Sequence, residues 1–294
     1  MLGFTKRFLQ VNGVQVAHYQ QGSGPPIVLL HGMPTSCFLW RDVIAPLRAS
    51  YRLVAPDLLG LGDTSGPIDG DHSLRAQALI VEGLLDRLGL DEVLLVGHDV
   101  GGAIAQWLAL ERPRRVRGLV LVASAAYDNW PVPVIRHLRH LAAWRPAWRL
   151  AVKLGHTTTL GFAASGFRRG VKYPGSLTPV EIEEYLRPHK LSRSSREHLR
   201  RLLLALDPEI TQDTGRRLGT LEKPSMVIWG EDDAFLPPVW GRRLAADLRG
   251  AELHLLPDCG HFVPEERPAE LASLIGEFYA KLLTRRLRSS FAGV

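Results

Sequence analysis

The sequence predicts an α/β fold: a mostly parallel sheet flanked by helices, with a helical lid inserted between two of its strands. Three observations predict it. Short continuous apolar runs alternate with helical periodicity from about residue 27 to residue 123. That alternation is the mark of a buried parallel sheet with helices on both faces. The rhythm stops between Asn129 and Thr220, where Arg-, Trp- and Leu-rich helical stretches replace it, and then resumes at Ser225. The expected division is therefore a core over 1–128, a lid over 129–220 and a second part of the core over 221–294.

Taken in order, Phe8–Val11 and Val14–Tyr19 flank Asn12-Gly13, a strong hairpin signal. Ile27–Leu30 and Tyr51–Ala55 read as buried strands, the first running into His31-Gly32-Met33-Pro34 and the second into Pro56-Asp57. Ser73–Leu88 has helical periodicity and is followed by Gly89 as a C-cap. Val93–Val96 is a buried strand that leads directly into Gly97-His98-Asp99-Val100-Gly101-Gly102, and Gly102–Glu111 reads as the helix behind it. Val116–Val122 is the next strand. Within the lid, Val134–Trp144 and Ser194–Leu206 read as helices. Ser225–Trp229 and Ala251–Leu256 restore the strands, Pro268–Leu283 closes the chain as a helix, and the Arg-rich tail is expected to fray.

Composition narrows the classes. Hydrophobic residues make up 46% and charged residues 22% of 294 residues, an ordinary globular balance. The net charge of +6 comes from arginines scattered over many helices without an RNP, zinc-finger or basic-arm pattern, so a solvated surface is expected and not a nucleic-acid partner. Cys37 and Cys259 stand at no metal-ligand spacing and read as free thiols. The first sixteen residues lack a signal-peptide layout and no apolar run spans a bilayer. A cytoplasmic protein is expected, with no membrane partner, no cofactor and no metal, as a monomer or homodimer.

Three strand ends carry chemistry. A residue at the centre of G-x-nucleophile-x-G sits on a sharp strand-to-helix turn, pushed out of the sheet. The helix N-terminus that follows favours negative charge there. Here the central residue is Asp99. Glu231-Asp232-Asp233 follows the strand Ser225–Trp229 and could orient a histidine. His261, in Gly260-His261-Phe262, follows the last strand. The order nucleophile, acid, histidine suits this kind of fold. A carboxylate that attacks saturated carbon leaves an ordinary alkyl ester, which activated water can cleave. Attack on an acyl carbon would leave an anhydride, so Asp99 points away from esterase chemistry.

These segments, with His31 to Ser36 and Pro56 to Gly62, resemble the α/β-hydrolase superfamily, and within it the epoxide hydrolase and haloalkane dehalogenase group. The resemblance implies Asp99 as nucleophile, His261 as the base that activates water, Asp233 as its orienting acid, and the backbone N–H groups of Met33 and Val100 as the oxyanion hole. Asp128 stands at a rival position for the orienting acid. Dehalogenases of this group place a side-chain N–H donor directly after the nucleophile and often another after the His-Gly pair. Val100 and Met33 occupy those positions and offer none, although Trp130, Trp144 or Trp148 of the lid could substitute. Epoxide hydrolases place lid tyrosines near the ring oxygen, and Tyr185 and Tyr173 are the lid tyrosines here. Epoxide hydrolysis of a small apolar organic substrate therefore leads, with C–halogen hydrolysis as the alternative. A natural-product hydrolase and a non-catalytic ligand-binding member of the fold remain further readings. His31 and His98 are expected to be structural.

Overall fold

A computed structural model describes residues 5–155 and 166–291. Its eight strands form one sheet in the order β1-β2-β4-β3-β5-β6-β7-β8. The strands are β1 (Arg7–Val11), β2 (Val14–Gln21), β3 (Pro26–Leu30), β4 (Arg52–Pro56), β5 (Val93–His98), β6 (Val116–Val122), β7 (Ser225–Gly230) and β8 (Glu252–Leu256). β1 and β2 pair as the antiparallel hairpin that Asn12-Gly13 announces, with both turn residues at positive φ. From β4 to β8 every pairing is parallel. The central strands β3, β5, β6 and β7 are buried along nearly their whole length, because helices cover both faces.

The helices are α1 (Arg41–Leu47), α2 (Leu74–Arg87), α3 (Val100–Glu111), α4 (Pro133–Ala143), α5 (Arg145–Lys153), α6 (Pro179–Leu191), α7 (Arg193–Ala205), α8 (Pro208–Arg217), α9 (Val239–Asp247) and α10 (Pro268–Phe291). Single turns at Arg168–Gly170 and Val263–Glu266 accompany them. Ser73 caps α2 by accepting from the Ala76 amide, and Thr178 with Glu181 forms a capping box on α6. Four helices from α5 to α8 join α4 between β6 and β7, where the sequence lacks strand rhythm. The C-terminal stretch departs from expectation. The closing helix is longer than expected, its backbone helical from Pro268 through Phe291 and not only to Leu283.

Register positions the site. Leu30 lies opposite Gly97, which sets the loop His31–Met33 beside the turn at Asp99. Gly230 lies opposite Leu256, which brings the loops holding Asp233 and His261 together. Ligands in open α/β sheets sit at these carboxyl ends.

Candidate active site

Asp99 has φ 50° and ψ −119°, a conformation that costs an L-residue strain. The turn is tight because a Cβ on Gly97 would stand 2.4 Å from the Gly101 carbonyl oxygen, and one on Gly101 would stand 2.3 Å from that of Leu30. Only glycine permits these approaches. The result delivers the Asp99 carboxylate to the floor of an apolar cavity. The Met33 amide donates to Asp99 Oδ2 at 3.0 Å, and the Val100 amide beside it also favours the charged carboxylate. Burial pushes the Asp99 carboxyl above its ordinary value, while the His261 charge and the two amides hold it back.

His261 faces the same cavity. Its Nδ1 donates to Asp233 Oδ2 at 2.9 Å. A carboxylate can only accept, so this bond fixes the tautomer and leaves Nε2 as the basic nitrogen. Asp233 is itself held by the amides of Phe235 and Leu236, which donate to Oδ1 at 2.9 and 2.8 Å. Burial alone would lower the His261 value; the charge and hydrogen bond of Asp233, followed by the charge of Asp99, outweigh it and raise it above 6.5. Asp128, the rival orienting acid, is exposed on the outer surface and is not the partner of the His261 ring.

The cavity encloses about 480 Å³ of empty space, its mouth included, and is lined by Met33, Pro34, Trp130, Val132, Val134, Ile135, Phe235, Leu236 and Phe262 besides Asp99, Gly166 and His261. Apart from His261, Trp130 is the one described lining residue with a side-chain N–H. Trp130 is buried, whereas Trp144 is 67% exposed and Trp148 lines a different groove. Of the lid tryptophans weighed from the sequence, only Trp130 reaches the site.

The two lid tyrosines do not reach it, which corrects the expectation that one of them is the acid. Tyr185 is buried, but its hydroxyl bonds the Glu265 carboxylate and accepts from Arg41 at 3.5 Å. Its ring stacks on Phe167. Tyr173 is 52% exposed, with its hydroxyl 3.3 Å from Asp258 Oδ1. Tyr185 is therefore a structural clamp and Tyr173 a surface residue.

His31 and His98 are structural, as expected. His31 Nε2 accepts from the Leu58 amide at 3.0 Å and Nδ1 donates to the Gly32 carbonyl at 2.9 Å. Burial lowers its value to about 4. His98 Nε2 donates to the His261 carbonyl at 3.0 Å, steadying the loop that carries His261. Cys37 and Cys259 are free and buried, and burial raises both thiols, so neither is a nucleophile.

Sequence reasoning missed a supporting network. The His261 amide donates to the Gly170 carbonyl at 2.6 Å. Glu266 accepts from the amides of Gly260 at 2.9 Å and Lys172 at 2.7 Å. Arg41 reaches Glu265 through two nitrogens, at 2.7 and 2.6 Å, and Glu181 of α6 at 2.6 Å. The pair Glu265-Glu266 directly after the histidine loop was the only local signal; its partners lie far away in sequence.

A buried carboxylate on a strained elbow and a histidine tied to a second carboxylate thus meet at the carboxyl ends of an α/β sheet. A family model described as alpha/beta hydrolase fold matches residues 25–268, and the chain belongs to that family. The chain is 31% identical, over 92% of its length and 96% of the relative, to the soluble epoxide hydrolase of Corynebacterium sp. (strain C12). It is 32% identical, over 93% of its length and 94% of the relative, to haloalkane dehalogenase 2 of Mycobacterium tuberculosis (strain ATCC 25618 / H37Rv). A solved structure titled epoxide hydrolase CorEH without ligand superposes with TM-score 0.78 at 28% identity, covering 95% of this chain and 99% of that one. The protein is thus an α/β-hydrolase enzyme of the epoxide hydrolase and haloalkane dehalogenase-like group.

Proposed function

We propose that the enzyme hydrolyses a small apolar epoxide through a covalent alkyl ester on Asp99. The observation that carries the reading is the juxtaposition of the Asp99 carboxylate with His261 in an apolar cavity. A carboxylate oxygen of Asp99 attacks a ring carbon. The carbon–oxygen bond opens, and the ring oxygen stays on the substrate and takes a proton from water. His261 Nε2 then removes a proton from a water molecule that attacks the Asp99 carboxyl carbon. The Met33 amide, which already donates to this carboxylate, and the Val100 amide beside it stabilise the oxyanion of the tetrahedral intermediate. As the intermediate collapses, the bond to the substrate oxygen breaks, His261 Nε2 returns its proton to that oxygen, and the diol is released with Asp99 and neutral His261 restored. Asp233 stabilises the imidazolium formed on the way.

An epoxide is favoured because its leaving oxygen needs no halide pocket, and the two side-chain donor positions hold Met33 and Val100. One observation supports a second reading, C–halogen hydrolysis: Trp130 lines the cavity and brings an indole N–H. The test is a His261→Gln variant incubated with styrene-type epoxides and, separately, with bromoalkanes. The expected result is an intact-mass gain equal to one whole epoxide, with wild-type protein turning the same epoxide over. Adducts and bromide release from bromoalkanes alone would move the assignment to the second reading. A variant that gains no mass from any substrate the wild type consumes would overturn the covalent route.

The pH dependence has a definite sign. Ester hydrolysis needs neutral His261, so its rate is expected to rise with pH as the imidazolium gives up its proton, at a midpoint that Asp233 holds up against the effect of burial. In the ester Asp99 carries no charge, which leaves Asp233 as the main group raising that midpoint. Single-turnover rates of Asp233→Asn should fall overall and titrate at lower pH than wild type. A midpoint that does not move would refute the assignment of Asp233.

A further inference from the structure

The positive charge of this protein is not spread evenly. Residues 129–220 contain sixteen Lys and Arg against seven Asp and Glu, while the rest of the chain contains twenty against twenty-three. The excess is most organised on the outer side of α5. Arg145, Arg149 and Lys153 recur every fourth residue and form one exposed stripe. Pro146, Leu150 and Leu154 recur in the same way and form the adjoining stripe, all exposed. At 3.6 residues per turn these rows run side by side along the helix. The opposite side, with Trp148 and Ala151, is buried against the protein.

Exposure of the apolar row is substantial: Leu150 is 56% exposed and Leu154 57%, and Trp144 at the head of α5 is 67% exposed. Three large apolar side chains on one short hairpin of helices are more than the scattered surface residue that needs no explanation. The cations beside them are also available. Among the described residues, no carboxylate lies within ion-pair distance of Arg149, Lys153 or Arg193, and Arg145 has only a 3.5 Å contact with Glu197. Arg145, Arg149, Arg193, Arg196 and Arg200 border one open groove between α5 and α7, whose carboxylate, Glu197, is already held by Arg200 at 2.9 Å.

We infer that α5 and the groove beside it form a docking surface for an anionic lipid membrane. Arg145, Arg149, Lys153 and Arg193, all exposed, meet lipid phosphates, and Trp144, Leu150 and Leu154 enter the boundary between headgroups and acyl chains. A helix with Lys and Arg along one row and Trp and Leu along the next has the chemistry of an interfacial segment, and charge complementarity selects the anionic leaflet. The inference runs against the sequence expectation that no membrane is a partner. It involves no bilayer crossing, since no described helix is long and apolar enough for that. α4 packs against α5 and lines the cavity over Asp99 through Val134 and Ile135. Docking therefore brings the cavity wall close to the phase where apolar molecules dissolve.

The test is co-sedimentation of the intact protein with phosphatidylcholine vesicles, with and without phosphatidylglycerol. Binding is expected only with phosphatidylglycerol and should weaken as salt is raised. Arg149→Glu with Lys153→Glu should weaken binding by about tenfold or more, and Leu150→Ser with Leu154→Ser should weaken it without changing the salt dependence. Arg242→Glu with Arg249→Glu, two exposed core positions, is the charge-matched control and should bind as wild type does. Absence of binding to phosphatidylglycerol vesicles at low salt would overturn the inference, as would equal loss in the control. So would light scattering that finds a wild-type dimer which the Leu150/Leu154 variant dissolves, because a second copy would then be the occupant. The readout uses no substrate, so it is independent of the reaction assigned to Asp99.

Discussion

Asp99→Ala is expected to lose at least about 10⁴-fold in kcat on any substrate the wild type hydrolyses, the scale on which removal of a nucleophile acts. Water in the apolar cavity has no second carboxylate there to replace it: the described lining residues besides Asp99 and His261 are neutral. Steady-state kinetics with product detection measures the loss, and urea unfolding checks the fold. The variant should unfold at or above the wild-type midpoint, because it no longer buries a carboxylate whose protonation burial already favours. Residual activity within tenfold of wild type would show that Asp99 does not form the intermediate.

The second large effect concerns stability. Arg41 is 14% exposed and the Glu265 side chain 1%, so Arg41→Ala leaves a buried carboxylate without its cation. Breaking a buried pair in this way costs about 3–5 kcal/mol. Burial already raises the Glu265 carboxyl, with Arg41 pulling it back down. Removing Arg41 raises it further, so the folded variant binds a proton that the unfolded chain does not. The deficit should therefore grow as pH rises through the Glu265 value and shrink in acid. Denaturant melts across pH measure this, and Arg41→Ala with Glu265→Gln should recover much of the loss at neutral pH. An equal deficit at acid and neutral pH would mean that the carboxylate is not its source.

Local chemistry made much of this protein legible in its sequence. The strands β3, β5, β6 and β7 are continuous apolar runs because both faces are covered, and such runs stand out. The Asp99 turn is recognisable because Gly97 and Gly101 are demanded by backbone approaches within a few residues. Asp233 was favoured over Asp128 by spacing, and the geometry pairs it with His261. Helices α1, α8 and α9 escaped notice. α1 contains Pro46, and α8 has a polar surface with few apolar positions to set a period. The role of Tyr185 was open in the sequence for a different reason. Its helix was recognisable, but whether its hydroxyl faces a cavity or Glu265 depends on a partner 80 residues away. No local pattern encodes such a meeting. The same holds for Trp130, whose place over Asp99 follows from the path of the chain after β6.

The bonds from His261 to Gly170, and from Glu266 to both Gly260 and Lys172, have a mechanical consequence. They rivet the roof of the chamber to the loop that holds the base. A hinged roof would drag the imidazole off its station each time it swung, so a cycle of wholesale lifting and reseating is incompatible with keeping the base aimed at the ester. Traffic to and from the chamber is therefore expected to leave the segment at Gly170 and Lys172 joined to the histidine loop.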